Sequence, residues 1–164
     1  MTERSASGHI EFGREWSLPD EAATIQLGVC MAQALDEGLV IYLEGPLGAG
    51  KTSFARALLT EWGVGERVKS PTYSLVETYA VGDLAAWHLD LYRIADPGEL
   101  EWLGLDALSD LSALVLIEWS ERGAGALPAA DMELRLAYAE AGPGRTALLR
   151  AFTARGERML SRLH

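Results

Sequence analysis

Eight residues, Gly45-Pro46-Leu47-Gly48-Ala49-Gly50-Lys51-Thr52, follow directly on the apolar run Val40-Ile41-Tyr42-Leu43 and fit G-x-x-x-x-G-K-[ST] in full. Successive backbone N–H groups in a glycine-rich turn that opens a helix form a concave donor nest, and the helix dipole adds positive charge there. In such a loop Lys51 would reach the β- and γ-phosphates of a nucleotide and the Thr52 hydroxyl would hold Mg²⁺. With 17 glycines and two lysines in 164 residues, chance would give only about 0.002 such matches. The flanks agree with a strand-loop-helix unit. The apolar run precedes the loop, and Phe54, Ala55, Leu58 and Leu59 then share one face of a helix.

Composition narrows the class. The length and the 49% hydrophobic content suit a single domain spanning 1–164, with the polar residues 1 to 9 expected to be flexible. The single cysteine, Cys30, has no intramolecular partner for a disulfide and falls in an apolar helical pattern, so a buried thiol and a cytoplasmic protein are expected. No signal-peptide pattern opens the chain and no apolar run is long enough for a membrane span. A net charge of −10 opposes a direct, non-specific grip on nucleic acid, so any RNA role would run through a partner. Only Lys51 and Lys69 among the 14 basic residues are lysines. Where arginine is so favoured, a lysine marks a place for a compact point charge; Lys51 has that reason. Lys69 either approaches phosphates or a partner, or is a solvated loop charge.

In chain order, Ile10, Phe12 and Trp16 hint at a short strand. A helix is expected over about 19 to 36, with Pro19 early and Gly38 as its stop. Strand 39–44, the glycine loop and helix 51–61 follow, ended by Gly63 and Gly65. Pro71 makes Val68-Lys69-Ser70-Pro71-Thr72-Tyr73-Ser74 a loop. Residues 75–81 and 84–90 read as a hairpin turning at Gly82-Asp83. Asp96-Pro97-Gly98-Glu99 is a capping box for a helix over about 97–103, and a shorter helix is expected near 106–111. Residues 113–117 form a continuous apolar run, as in a strand buried on both faces of a parallel sheet, and deliver Glu118-Trp119 at its carboxyl end. This resembles a Walker B strand with Glu in place of Asp. Residues 132–138 and 146–152 are expected to pair antiparallel at one edge of the sheet. The fold class expected is α/β: a P-loop NTPase-like mixed sheet, its central parallel strands flanked by helices, with an antiparallel edge hairpin.

A phosphate loop needs an acid to hold Mg²⁺ directly or through water and to position the nucleophile; Asp90 and Glu118 both end strands. Spacing alone does not rank them. Ligands of open α/β sheets sit outside the carboxyl ends of strands, which brings both acids near the γ-phosphate if both strands neighbour the loop's strand. Lys51, Asp90 and Glu118 are therefore the candidate catalytic residues, with Thr52, Glu118 and Asp90 as candidate metal contacts. His88 lies mid-strand, where one histidine makes no metal site. Arg155, Arg158 and Arg162 suit either a solvated helix face or a partner contact.

These motifs, in this order, resemble those of the TsaE family of bacterial ATPases required for threonylcarbamoyladenosine modification of tRNA. The resemblance rests on Leu18-Pro19-Asp20-Glu21, Gly45 to Thr52, Val68 to Tyr73, His88-Leu89-Asp90-Leu91-Tyr92-Arg93, Asp96-Pro97, Glu118-Trp119 and Leu127-Pro128. It implies that Gly48, Ala49, Gly50, Lys51, Thr52 and Ser53 bind the phosphates of ATP, that Thr52 and Glu118 coordinate Mg²⁺, and that Glu21 contacts the nucleotide. It further implies that Asp90 is an acid needed at the metal or for hydrolysis, and that Thr72 senses the γ-phosphate or Mg²⁺ from a switch-like segment, Ser70 to Tyr73. Trp119 is either a stacking group or a core tryptophan. The family's partners are TsaD and TsaB, with tRNA reached only through that complex, so hydrolysis by the chain alone is expected to be weak.

Two rivals are weaker. A small-molecule kinase needs an arginine-rich lid, whereas Arg67 and Arg93 are the only arginines between helix 51–61 and strand 113–117. A regulatory GTPase reads guanine with Asn-Lys-x-Asp, and the chain has no asparagine. ATP is therefore expected to bind more tightly than GTP in calorimetric titrations; tighter GTP binding would overturn this reading.

Overall fold

The computed structural model describes residues 2–4, 10–105 and 113–163. In chain order the regular elements are β1 (Thr2–Arg4), β2 (Ile10–Leu18), α1 (Glu21–Ala34), β3 (Leu39–Glu44), α2 (Lys51–Leu59), β4 (Val76–Val81), β5 (Leu84–Asp90), β6 (Ala113–Glu118), β7 (Met132–Tyr138), β8 (Arg145–Ala151) and α3 (Ala154–Ser161). The strands form one mixed sheet in the order β1-β2-β8-β7-β3-β6-β5-β4. Its centre is parallel: β3 lies between β6 and β7, and β5 flanks β6. The remaining pairings are antiparallel; β4 and β5 form the expected hairpin, and it is this hairpin that closes one edge.

Strand parity decides which side chains meet the helices. Leu39, Ile41, Leu43, Leu114 and Leu116 point to one face and pack with Phe54, Ala55, Leu58 and Leu59 of α2, Leu27 and Met31 of α1, and Met159 of α3. Val40, Val115 and Ile117 point to the other face, under Leu91, Ile94, Leu100 and Leu105. The three helices thus cover one face, and loops and short 3-10 turns cover the other. Every residue of β6 is buried, which is why its sequence is apolar without alternation.

Several boundaries differ from the sequence reading. α1 begins at Glu21 rather than near Pro19, capped by Asp20, whose side chain accepts from Ala23 N at 2.9 Å. The helix ends at Ala34 because Leu35 turns extended and buries its side chain. Gly63, at φ 134°, breaks a wider turn that continues α2 over Thr60–Val64. Pro97–Leu103 is a 3-10 helix carrying the expected capping box. The helix expected near 106–111 lies outside the described residues.

The β7–β8 pair is inboard rather than at an edge, because β2, nine residues long, pairs along β8. Its weak alternation concealed that length, and Thr2–Arg4, expected to be loose, pairs with it as β1. Cys30 is half-buried and accepts from Gln26 Nε2 at 3.6 Å, rather than sitting fully in the core. No helix among the described residues is long and apolar enough to cross a membrane.

The arginines of the C-terminal segment are tied down internally. Arg155 pairs with buried Asp131 at 2.8 Å, Arg162 with Asp36 at 2.7 Å and Arg158 with Glu37 at 3.5 Å. Asp131 also accepts from Val40 N at 2.9 Å and from Thr153 Oγ1 at 2.7 Å, joining β3, β7 and the cap of α3. Removing a buried, fully bonded carboxylate strands its donors. Asp131→Ala is therefore expected to cost about 3 kcal/mol and to lower Tm by roughly 6–12 °C in thermal melts; an unchanged Tm would contradict this account of the junction.

Candidate functional site

The loop between β3 and α2 has the backbone that its glycines allow. Gly45 lies at φ 142° and Gly50, the residue capping α2, at φ 106°. A Cβ at Gly45 would run into the Leu136 carbonyl, and one at Gly50 would press on Thr24 Cγ2 at 3.3 Å. With no side chain at its cap, α2 leaves its first N–H groups for an anion. Two residues the sequence reading missed brace this loop from the sheet: Tyr138 donates to Leu47 O at 2.8 Å, and Arg145 donates to Gly48 O at 3.3 Å. They end β7 and begin β8, facing each other in the antiparallel register. The turn-like Gly142-Pro143-Gly144 between them was the available signal.

Lys51 is 5% exposed. Its Nζ donates to Gly45 O at 2.5 Å and sits 3.7 Å from the centre of the Trp119 ring. Burial lowers the ammonium's pKa, opposed by the charges of Glu118, Glu121, Asp90 and Glu44. Trp119 itself, half-buried, holds a left-handed backbone at φ 60°, a conformation that costs a non-glycine residue about 1–3 kcal/mol. It is neither a plain core residue nor free: Tyr92 tilts against it at 5.0 Å and Arg122 lies 5.7 Å from its ring.

Glu118 ends β6 next to β3, and parity turns its side chain to the α2 face. It is 2% exposed. Oε1 accepts from Thr52 Oγ1 at 3.1 Å, and Oε2 lies 2.7 Å from His88 Nε2. An octahedral Mg²⁺ with oxygen ligands at about 2.0–2.1 Å spaces neighbouring ligands about 2.9 Å apart, so Thr52 Oγ1 and Glu118 Oε1 are spaced as such a pair would be. Among the described residues no group of three or more His, Cys, Asp or Glu side chains could hold a metal.

Asp90 pairs with Glu118 in the β5–β6 register, so β5 is the second strand from β3 rather than its neighbour. Its Oδ1 accepts from Tyr92 N at 3.0 Å. A cavity of about 400 Å³ is bounded by Lys51, Thr52, Thr72, Asp90, Glu118 and Trp119, with Arg93 at its rim. The opposite side of the loop opens on a second cavity of about 430 Å³, between Pro19, Glu21, Thr24, Gly48, Ala49, Gly50, Ser53, Pro143 and Arg145. Glu21 accepts there from Ser53 Oγ at 2.9 Å. Thr72 bonds to Ser70 Oγ at 2.7 Å in a loop whose Tyr73 is 86% exposed. Lys69 has an exposed side chain, and its backbone is held by Tyr79, which accepts from Lys69 N at 2.8 Å.

These features define an α/β protein with a glycine-rich strand-to-helix loop and an acid on the adjoining strand. A sequence model of the family described as "Threonylcarbamoyl adenosine biosynthesis protein TsaE" matches residues 18–147. A Haemophilus influenzae protein named tRNA threonylcarbamoyladenosine biosynthesis protein TsaE is 42% identical over 126 residues, covering 74% of this chain and 80% of its own. The Bacillus subtilis protein of that name is 33% identical over 144 residues, covering 88% and 87%. The crystal structure of Bacillus subtilis YdiB superposes with a TM-score of 0.69 at 26% identity, covering 93% of this chain and 95% of its own. The chain belongs to the TsaE family.

Asp90 carries a testable electrostatic signature. Burial raises its pKa, the Tyr92 N–H and the Lys51 ammonium oppose the rise, and the charge of Glu118 adds to it. The folded protein then keeps the proton to higher pH than the unfolded chain, so stability falls as pH rises from the ordinary carboxylate range through the raised value. Asp90→Asn retains an oxygen for Tyr92 N and is expected to melt higher than the parent at neutral pH, the gap closing as pH falls. Calorimetric melts across about pH 4 to 8 check this; a lower-melting Asp90→Asn at neutral pH would contradict it.

Proposed function

We propose that this chain is a Mg²⁺-dependent, ATP-binding and ATP-hydrolysing protein of the cytoplasm that serves threonylcarbamoyladenosine modification of tRNA. It works with TsaB and TsaD homologues and reaches tRNA only through them. The observation that carries the reading is the meeting of Thr52 and Glu118 at 3.1 Å beside the open N-terminus of α2. Family membership and the printed names of the relatives support the pathway.

The residues fit the group. Backbone N–H groups from Gly48 to Ser53 would bind phosphate oxygens, and Lys51 would exchange its bond to Gly45 O for the β- and γ-phosphates. Thr52 and Glu118 would hold Mg²⁺, which when bound neutralises charge on the phosphates. Asp90, half-buried at the end of β5 and lining the cavity beside Lys51, would orient the attacking water and accept its proton; its raised pKa suits a base that must not be too weak. Thr72 would approach the γ-phosphate from the Ser70 to Tyr73 loop. Glu21 and Arg145 border the cavity on the far side of the loop, where the nucleoside would lie. A net charge of −10 opposes a direct, non-specific grip of the chain itself on RNA.

Depleting the protein should lower threonylcarbamoyladenosine in tRNA, measured by mass spectrometry of digested nucleosides; an unchanged level in cells without a paralogue would sink the proposal. In purified protein, Thr52→Ala and Glu118→Ala are each expected to weaken Mg²⁺-dependent ATP binding roughly tenfold or more. Asp90→Ala should keep ATP affinity and lose at least about a hundredfold in partner-stimulated turnover. If Asp90→Ala loses Mg²⁺-dependent affinity as Thr52→Ala does, Asp90 is a metal ligand and the division of labour is wrong.

A further inference from the structure

His88 is a buried polar residue that the proposed mechanism leaves without a task. It lies in the middle of β5, 1% exposed, on the same face as Ala86 and Asp90. A histidine at that depth in a parallel sheet loses hydration that a leucine would never have needed. Its Nε2 is 2.7 Å from Glu118 Oε2, while its Nδ1 faces no hydrogen-bond partner among the described residues. A ring with one satisfied nitrogen places its single N–H there. An N–H on Nδ1 would be a buried donor without an acceptor and would leave Nε2 as a lone pair against a carboxylate oxygen. The arrangement is therefore Nε2–H donating to Glu118 Oε2.

That bond divides the Glu118 carboxylate. Oε2 is turned to His88, and Oε1 is turned to Thr52 at 3.1 Å. The carboxylate ends a strand whose next residue, Trp119, departs into a left-handed backbone, so the strand alone does not fix its rotation. We propose that His88 is a positioning residue that sets the rotamer of Glu118, presenting Oε1 beside Thr52 for the cation and leaving the carboxylate's charge intact. This rests on the reading of Thr52 and Glu118 as metal contacts. Hydrogen-bonded supports of this kind typically change metal affinity 10–100-fold when removed.

The variants differ in where they keep a donor. Gln at position 88 reproduces an N–H near Nε2, Asn reproduces one only near Nδ1, and Ala has neither. Nucleotide affinity is measured by calorimetry in EDTA and then across a Mg²⁺ titration, alongside thermal melts. His88→Ala and His88→Asn are expected to shift the Mg²⁺ midpoint upward about tenfold or more, His88→Gln to lie within about threefold of the parent, and all three to bind nucleotide as the parent does in EDTA. In a Glu118→Gln background, His88→Ala should add no further shift, since the group it positions is already lost. For the parent protein, ¹⁵N spectra of the imidazoles, with His88 assigned by its loss in His88→Gln, should show the Nε2–H tautomer, which needs no destabilising variant.

The outcomes separate. A parent whose nucleotide affinity ignores Mg²⁺ overturns the metal reading and this inference with it. A parent and Glu118→Gln that behave as metal-site proteins, beside a His88→Ala with an unshifted Mg²⁺ midpoint, overturn the inference alone. So does an Nδ1–H tautomer, or a His88→Gln as impaired as His88→Asn.

Discussion

Glu118 is the constraint around which the carboxyl end of the sheet is arranged. A carboxylate 2% exposed at the end of a fully buried strand is tolerable only when its oxygens are bonded, since burying an unpaired charge costs several kcal/mol. Here the first turn of α2 and the middle of β5 each supply a donor. The same two bonds join α2, β6 and β5, so the loop, the acid and the hairpin strand hold a fixed relation. A buried ionic group is weak ground for stability. Its retention is understood as the cost of keeping a charge beside the N-terminus of α2, which no side chain caps.

Strain gathers at the same place. Leu75, at φ 72°, and Trp119, at φ 60°, are the only non-glycine residues with positive φ among those described. Each touches or adjoins one of the two candidate acids. Leu75 O accepts from Asp90 N at 3.0 Å, and Trp119 directly follows Glu118 while its ring covers Lys51. Held conformations of this kind persist where surrounding contacts over-determine them and concentrate at functional sites. The Ser70 to Tyr73 loop is linked through Leu75 to the backbone of Asp90, since Leu75 N donates to Pro71 O at 3.0 Å.

Much of this was legible in the sequence because two strong local signals agreed. The glycine spacing specified the loop, and the unbroken apolar run of 113–117 specified a buried strand ending in Glu118. What stayed hidden was non-local. Which strand neighbours β3 depends on β7 and β6 pairing on either side, and no residue of β5 announces that it stands one place further out. His88 could have been read from parity: it alternates with Asp90, so both share one face, but the partner on that face belongs to another strand. Tyr138 and Arg145 act through the register of β7 against β8, and β2 has too mixed a composition to reveal its length. The arginines of α3 looked like a solvated face because their carboxylate partners lie more than a hundred residues away for Arg158 and Arg162.

In the function proposed above, Lys51, Thr52 and Glu118 form one site for a magnesium nucleotide. A crystal structure with Mg²⁺ and a non-hydrolysable ATP analogue tests it most directly. Phosphates are expected against the N–H groups of Gly48 to Ser53, with Lys51 Nζ moved from Gly45 O onto a phosphate oxygen and the cation at about 2.1 Å from Thr52 Oγ1, Glu118 being bound to it directly or through one water. A nucleotide lodged elsewhere, or Lys51 still on Gly45 O with the cation away from Thr52 and Glu118, would contradict it.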